Sequence, residues 1–488
     1  MHTRPAAWLI APVIALFAMG AGVSARASVH RARTTPIRHV IEIMLENHTY
    51  DSLFASFPGA RGVAAGTTLP APQPGGAPLA PLVAGPNEGE VQGGLNNSRS
   101  AELAMMDRRG ARYLMNGYTR FPGEGLSAIT EFPPSMDPNL QYAARHYELL
   151  DANFQPVIGP TLPNVLAALA GTNGGWTTNA QPPPSRSWTT IFDQLAAHGE
   201  SSGFYTGVPP ADLAGSLWPR LLPSGEQLQP VSAFLRALRL GHLRAFSFVR
   251  PGVGYSEEAP EDVGEGDAWL GQLLAAIGRS GQWSSTAVFI TYDEGGGFWD
   301  GVSPPVRTGE GTRTPTVIVS PDARRGVLSA PTTNLSVLAF VEHLFGLPPL
   351  TPAVGRANDL AAAFDGARHP LPPPEPPVAP VATVGFTGSS PLSDPPATTP
   401  GAVLPVTFTA RNAALSPIHS AAILHVQLVP PPGVAVPPGF PRRVRLQGGT
   451  ATVALRFGTR GYYRLRVDGP GGMLGDLTVQ VGVSANTP

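Results

Sequence analysis

Val288 to Tyr292 is an unbroken β-forming run that ends on two adjacent carboxylates, Asp293 and Glu294, followed by three glycines. An apolar run of this kind reads as a strand buried on both faces, the situation in parallel sheets covered by helices. Parallel strands need long crossovers, so the rest of the chain must supply further strands alternating with helices. Open sheets of this type bind ligands just past the carboxyl ends of their strands. Glycines there permit a sharp turn, and two acids at a strand end suit a hard cation.

The expected alternation runs from Ile37 to about Pro370. Strands are predicted at His39–Leu45, Tyr147–Asn153, Gly203–Thr206, Ala245–Val249, Thr286–Tyr292 and Pro315–Ser320. Helices are predicted at Leu162–Ala170, Thr190–His198, Val231–Leu240, Asp267–Arg279 and Leu335–Phe345. The fold class is therefore α/β, a doubly wound, mostly parallel sheet with helices on both faces. Residues 60–98, rich in Gly, Pro and Asn, interrupt the rhythm and read as an insertion over the sheet's ligand-binding edge. Residues 371–400 are a proline-dense spacer. Beyond it, in residues 401–488, runs such as VLPVTFTA and AAILHVQLV are short and divided by Gly and Pro. They predict an Ig-like β-sandwich, for which binding or spacing is expected rather than chemistry.

At the N-terminus, Arg4, an apolar run from Ala6 to Val23, and Ala25-Arg26-Ala27 form the pattern of a cleaved signal peptide, residues 1–27. Secretion is expected, and the apolar run is short for a membrane span. The chain has no cysteine, which excludes thiol catalysis, thiolate metal sites and disulfides. It has no lysine either, which excludes a P-loop and Schiff-base chemistry. A formal net charge of −1 gives no ground for a nucleic-acid partner.

A second apolar run, His39–Leu45, ends in Glu46-Asn47. With Asp293 and Glu294 these make four oxygen donors at two strand ends, a set that suits one divalent cation, Ca²⁺, Mg²⁺ or Mn²⁺. Glu46-Asn47 would also serve simply to cap the helical pattern that follows. Between these segments lies GPTLPNVLAALAGT, residues 159–172. Thr161 stands there at a helix start, where unpaired backbone N–H groups favour phosphate or the charge developing on it. Thr161 would equally make an ordinary helix cap.

Taken in order with residues 311–350, these segments resemble the bacterial phosphoesterase family of secreted phospholipases C and acid phosphatases, which has an alkaline-phosphatase-like fold. The resemblance covers roughly residues 37–370. It implies that Glu46, Asn47, Asp293 and Glu294 bind metal, and that Thr161 becomes phosphorylated in the reaction. Asn164 would orient the phosphoryl oxygens or hold the loop. The implied activity is hydrolysis of a phosphomonoester or a phospholipid head group.

The family's histidines are missing. Residues 93–100 contain none, and Glu258, Gly295, Gly301 and Asn334 stand where the pattern has one. Histidine is the usual acid at neutral pH. Two outcomes follow: Glu258 serves as the acid, with Asn96, Asn97 and Asn334 hydrogen-bonding the phosphate, or the chain is a weakened relative that binds phosphate or surface ligands. His48 is the one histidine that the sequence places near the site. Arg313, Arg324 and Arg325 are either phosphate forks or solvated loop charges. Phe298 and Trp299 either line a substrate mouth or seat their own loop.

Overall fold

The computed structural model describes residues 36–84, 95–122, 126–183, 185–207, 218–252, 255–259, 261–305, 309–364, 370–377, 383–386, 396–411, 421–431, 433–469 and 473–482. The N-terminal leader pattern and part of the 60–98 insertion lie outside these residues. No helix among the described residues is long and apolar enough to cross a membrane.

The main sheet has eight strands. In chain order they are β1 (His39–Leu45), β2 (Glu148–Leu150), β3 (Ser202–Thr206), β4 (Gln229–Pro230), β5 (Phe246–Arg250), β6 (Thr286–Tyr292), β7 (Thr316–Val319) and β8 (Gly326–Leu328). Their order across the sheet is β8-β2-β7-β6-β1-β5-β3-β4. β1 lies at the centre, parallel to β6 from His39 opposite Thr286 to Leu45 opposite Tyr292. On its other side it runs parallel to β5, with Val40 opposite Phe246 and Ile43 opposite Val249. β7 runs antiparallel to both its neighbours, so the sheet is mixed but mostly parallel.

Side chains alternate between the faces of a strand, and each face has its own core. Ile41, Ile43, Leu45, Val249, Val288 and Ile290 pack under helices α3 (Pro138–His146), α6 (Val231–Leu240) and α7 (Val263–Gly278). Val40, Met44, Phe246, Phe248, Ala287 and Phe289 pack under α4 (Thr161–Ala170), α5 (Ile191–Ala197) and α8 (Leu335–Phe345). Three helices on each face is the doubly wound arrangement that the buried central strands require.

Four elements depart from expectation. The predicted Tyr147–Asn153 strand breaks after Leu150, and the Asp151 carboxylate turns to accept the Arg61 backbone N–H at 2.9 Å. Helix α7 begins at Val263 because Asp262 caps it, accepting from the N–H groups of Gly264 and Glu265. The helices Arg99–Met106 (α2) and Pro138–His146 were not read from the sequence.

The C-terminal region forms a separate, largely antiparallel sheet, ordered by its first residues as Arg442, Ile423, Gly461, Met473, Thr383, Val403 and Thr450. Ile423–Val429 shows the alternation expected of a strand with one wet face. Val406, Phe408, Leu424, Val426, Leu465 and Val479 form its core. The sheet takes strand Thr383–Phe386 from the proline-rich stretch. Arg464 of this region lies 3.7 Å from Glu261, on the loop that follows β5.

Candidate active site

The period of two along each strand assembles the site. On β1, Val40 and Met44 face α4, and Glu46 continues that set. On β6, Ala287 and Phe289 do the same and lead to Asp293. On β5, Phe246 and Phe248 lead to Arg250. Two carboxylates and a guanidinium therefore emerge on one face, at the ends of three adjacent parallel strands. Helix α4 points its N-terminus at them.

Thr161 is the first residue of α4, and Pro160 holds the cap position without a side-chain bond. The threonine is thus not a cap. Its hydroxyl donates to Glu46 Oε2 at 3.3 Å, and the residue is buried. The other Glu46 oxygen, Oε1, accepts from Arg250 Nη2. The same Nη2 lies 3.9 Å from Asp293 Oδ2. Asp293 Oδ1 accepts from the N–H of Asn47 at 3.2 Å and of Glu294 at 2.8 Å. Asn47 reaches this geometry with φ at +56°, a left-handed conformation that Asn tolerates better than most residues.

Burial pushes Asp293 above the usual carboxylate range, while Arg250, the two backbone N–H groups and the Thr161 hydroxyl pull it back. Burial, then the charges of Asp293 and Glu102, push Glu294 well above that range. Burial likewise lowers Arg250, and Asp293, Glu258 and Glu42 oppose the shift. The site is short of positive charge, and ionising every carboxylate in it requires a further cation.

Among the described residues, no three His, Asp or Glu side chains gather as a metal-holding group. Glu46, Asp293 and the Thr161 hydroxyl do come together, and Asn47 meets Asp293 through its backbone N–H. Asn47 Oδ1 and Asp293 Oδ2 are buried oxygens without a hydrogen-bond partner. Orphaned acceptors beside an excess of negative charge fit one hard cation. Glu294 is not brought to the other three. As the residue after Asp293 it leaves the strand on the opposite side, accepting from Asn97 Nδ2 at 2.6 Å and from the Gly296 N–H at 2.5 Å.

The other predicted residues fall as follows. Asn97 holds Glu294. Asn96 Oδ1 accepts from the Ser98 N–H at 3.0 Å. Asn164 takes the loop-holding role: it accepts from Val157 N at 3.0 Å and donates to the carbonyls of Gly159 and Pro160. Asn334 donates to the Tyr292 carbonyl at 2.9 Å and accepts from Asn153 at 3.1 Å. The Glu258 N–H donates to Ser256 Oγ at 3.2 Å, and its carboxylate bears on Arg250 through charge. His48 Nδ1 pairs with Ser52 Oγ at 3.2 Å. It stacks on Phe298 with ring centroids 4.7 Å apart, and burial lowers its pKa to about 3, so the ring is neutral.

Arg313 is neither a phosphate fork nor a solvated charge. It is fully buried, bonds Asp300 and Asp51 at 2.9 Å each, and covers the Tyr50 ring. Arg324 and Arg325 are exposed. Phe298 and Trp299 are both buried and seat their loop, Trp299 Nε1 donating to the Met115 carbonyl at 2.8 Å.

Four residues of the site were missed. Arg250 carried the clearest signal, because FSFVR places it in register with Phe246 and Phe248. Gln155 accepts from the Gly295 N–H at 2.8 Å and from the Thr312 hydroxyl at 2.9 Å. Glu102 accepts from the Gly159 N–H at 2.6 Å and so supports the loop before Thr161. Glu257 is buried with φ at +72° and accepts from the Tyr292 hydroxyl at 2.7 Å. None of these three carries a local pattern that points to the site. Gly295 also explains one absent histidine: a Cβ there would lie 2.1 Å from Thr312 Oγ1, and no side chain fits.

The phosphoesterase family profile matches residues 37–348, and the chain belongs to that family. It is similar to non-specific phospholipase C6 of Arabidopsis thaliana, 26% identical over 44% of this chain and 48% of that protein. It is also similar to phospholipase C B of Mycobacterium tuberculosis, 25% identical over 69% of this chain and 79% of that one. The chain spans about half or less of the length of the plant relatives it matches, 48% and 41% for the first two. Among solved structures it is similar to an alkaline phosphatase superfamily protein from Vibrio parahaemolyticus, with TM-score 0.34, 16% identity, and 45% of this chain and 63% of that one covered.

Proposed function

We propose that this chain is a secreted hydrolase of phosphoric esters, in which Thr161 is the nucleophile. The observation that carries this reading is the Thr161 hydroxyl at the start of α4, bonded to a carboxylate on the ligand-binding edge of the sheet. Membership of the phosphoesterase family supports the reaction class.

Glu46 accepts the Thr161 hydroxyl's hydrogen bond and so orients Oγ1. As Oγ1 attacks phosphorus it gives its proton to Glu46, and the ester oxygen departs with its electron pair and takes a proton of its own, leaving a phosphothreonine. Water then breaks the new P–O bond and restores the hydroxyl. The N-terminus of α4 stabilises charge on the phosphoryl oxygens. Glu258, on the loop that follows β5, is assigned as the acid that protonates the leaving oxygen. Glu46, Asn47 and Asp293 would hold one divalent cation, which supplies charge stabilisation for the phosphoryl group when bound. The substrate class is a phosphomonoester or a phospholipid head group. The leader, residues 1–27, would direct export.

The test uses purified protein with Mn²⁺, Mg²⁺ or Ca²⁺, and p-nitrophenyl phosphate or p-nitrophenylphosphorylcholine as substrate, from pH 4 to 9. Release by the parent and its loss by at least about a thousandfold in Thr161→Ala is the expected result, and the preferred ester defines the substrate class. Equal release by parent and variant removes Thr161 as nucleophile. No release under any condition leaves the chain as a binder of phosphate-bearing ligands.

A further inference from the structure

The acceptor site for a cation already holds one cation, and it belongs to the chain. Arg250 ends β5 on the same face as Glu46 and Asp293, and its side chain is 1% exposed. Nη2 bonds Glu46 Oε1 and stands 3.9 Å from Asp293 Oδ2. Those are the two carboxylates that a divalent ion would share with Asn47. A guanidinium stays protonated at any accessible pH, so it cannot relieve repulsion by losing its proton. A divalent ion on the same two carboxylates either meets a like charge at close range or displaces the guanidinium.

We propose that Arg250 is the resident counter-cation of this site, and that it competes with divalent metal for Glu46 and Asp293. Arg250 keeps the carboxylates assembled and charge-compensated when no metal is bound. Metal binding exchanges the Arg250–Glu46 bond for a metal–Glu46 bond and releases the guanidinium toward the phosphoryl group, whose oxygens it fits as a fork. Metal affinity is therefore set by Arg250 as well as by the donors. This rests on the reading of Glu46, Asn47 and Asp293 as metal donors, and its test reads binding and geometry rather than turnover.

Mn²⁺ is titrated calorimetrically into the full chain after chelator treatment, for the parent, Arg250→Gln and Arg250→Lys. Arg250→Gln is expected to bind Mn²⁺ at least about tenfold more tightly than the parent, and Arg250→Lys to stay near the parent. Chelator is expected to lower the melting temperature of Arg250→Gln more than that of the parent, with Mn²⁺ restoring both. Equal or weaker binding by Arg250→Gln overturns the proposal. So does Mn²⁺ binding by none of the three, whatever Thr161→Ala shows in the ester assay. If Arg250→Gln does not fold, a crystal structure of the parent soaked in Mn²⁺ decides. The guanidinium withdrawn from Glu46 supports competition, and metal bound beside an intact Arg250–Glu46 pair overturns it.

Discussion

At the scale of single residues, the site depends on the direction in which each side chain leaves its strand. Asp293 and Glu294 are neighbours in the chain, yet only Asp293 meets Glu46 through the shared Arg250. Glu294 turns to Asn97 and Gly296. The same parity makes Arg250 part of the site, and it was available from the sequence. What the sequence could not give was the use of the asparagines. Asn164, Asn97 and Asn334 each spend their amide on a backbone group or a carboxylate. Glu258 therefore remains as the assigned acid, and that role makes a specific prediction. An acid matters most when the leaving oxygen is basic and little when it is p-nitrophenolate, which departs without a proton. Glu258→Gln should lower kcat by about a hundredfold or more on an alkyl phosphate and only slightly on p-nitrophenyl phosphate. An equal loss on both esters would assign Glu258 to positioning instead.

At the scale of elements, strands were legible because each carries its own apolar run: His39–Leu45 and Thr286–Tyr292 fall on the residues expected. Helices with an apolar face, such as Val231–Leu240, were equally plain. Pro138–His146 was not, because its stability comes from a distant carboxylate. Asp267 of α7 accepts from the N–H groups of Asn139 and Leu140 at that helix's start, at 2.8–3.1 Å. No window of sequence displays a bond across such a span. Helix α4 has a similar device. The N–H of Leu162, which a phosphate at the helix N-terminus would use, donates to Asn179 Oδ1 at 2.9 Å. Asn179 thus holds the place of an anion. Asn179→Ala should destabilise the fold by about 1 kcal/mol, the usual cost of losing such a bond. Inorganic phosphate should then raise the variant's melting temperature more than the parent's. Thermal melts with and without phosphate measure both, and identical phosphate responses would mean that Asn179 and the anion do not share the position.

At the scale of the molecule, the buried acids make stability depend on pH in a direction opposite to that of an ordinary salt-bridged protein. Burial pushes Glu42 and Glu102 up to about 8 from an ordinary 4.5. The unfolded chain loses these protons near the ordinary value, and the folded chain keeps them. Their contribution is therefore fully present below about pH 4.5 and is lost as pH rises toward 8. His48 works the other way. Burial lowers it to about 3 from 6.5, so it adds stability as pH rises through that window and nothing more above 6.5. Asp51, Asp267, Glu148 and Glu342, which burial raises to about 7, lose stability in the same direction, so the acids outweigh the one histidine throughout this range. Each proton corresponds to roughly 1.4 kcal/mol per pH unit. Denaturant melts at half-unit steps should show stability declining from pH 5 to 8. Glu42→Gln and Glu102→Gln should each lessen the decline between pH 7 and 8, since the amide keeps the shape and has no proton to lose. His48→Phe should steepen the decline below pH 6.5. A stability that rises between pH 6.5 and 8 would mean that these carboxylates are ionised in the fold.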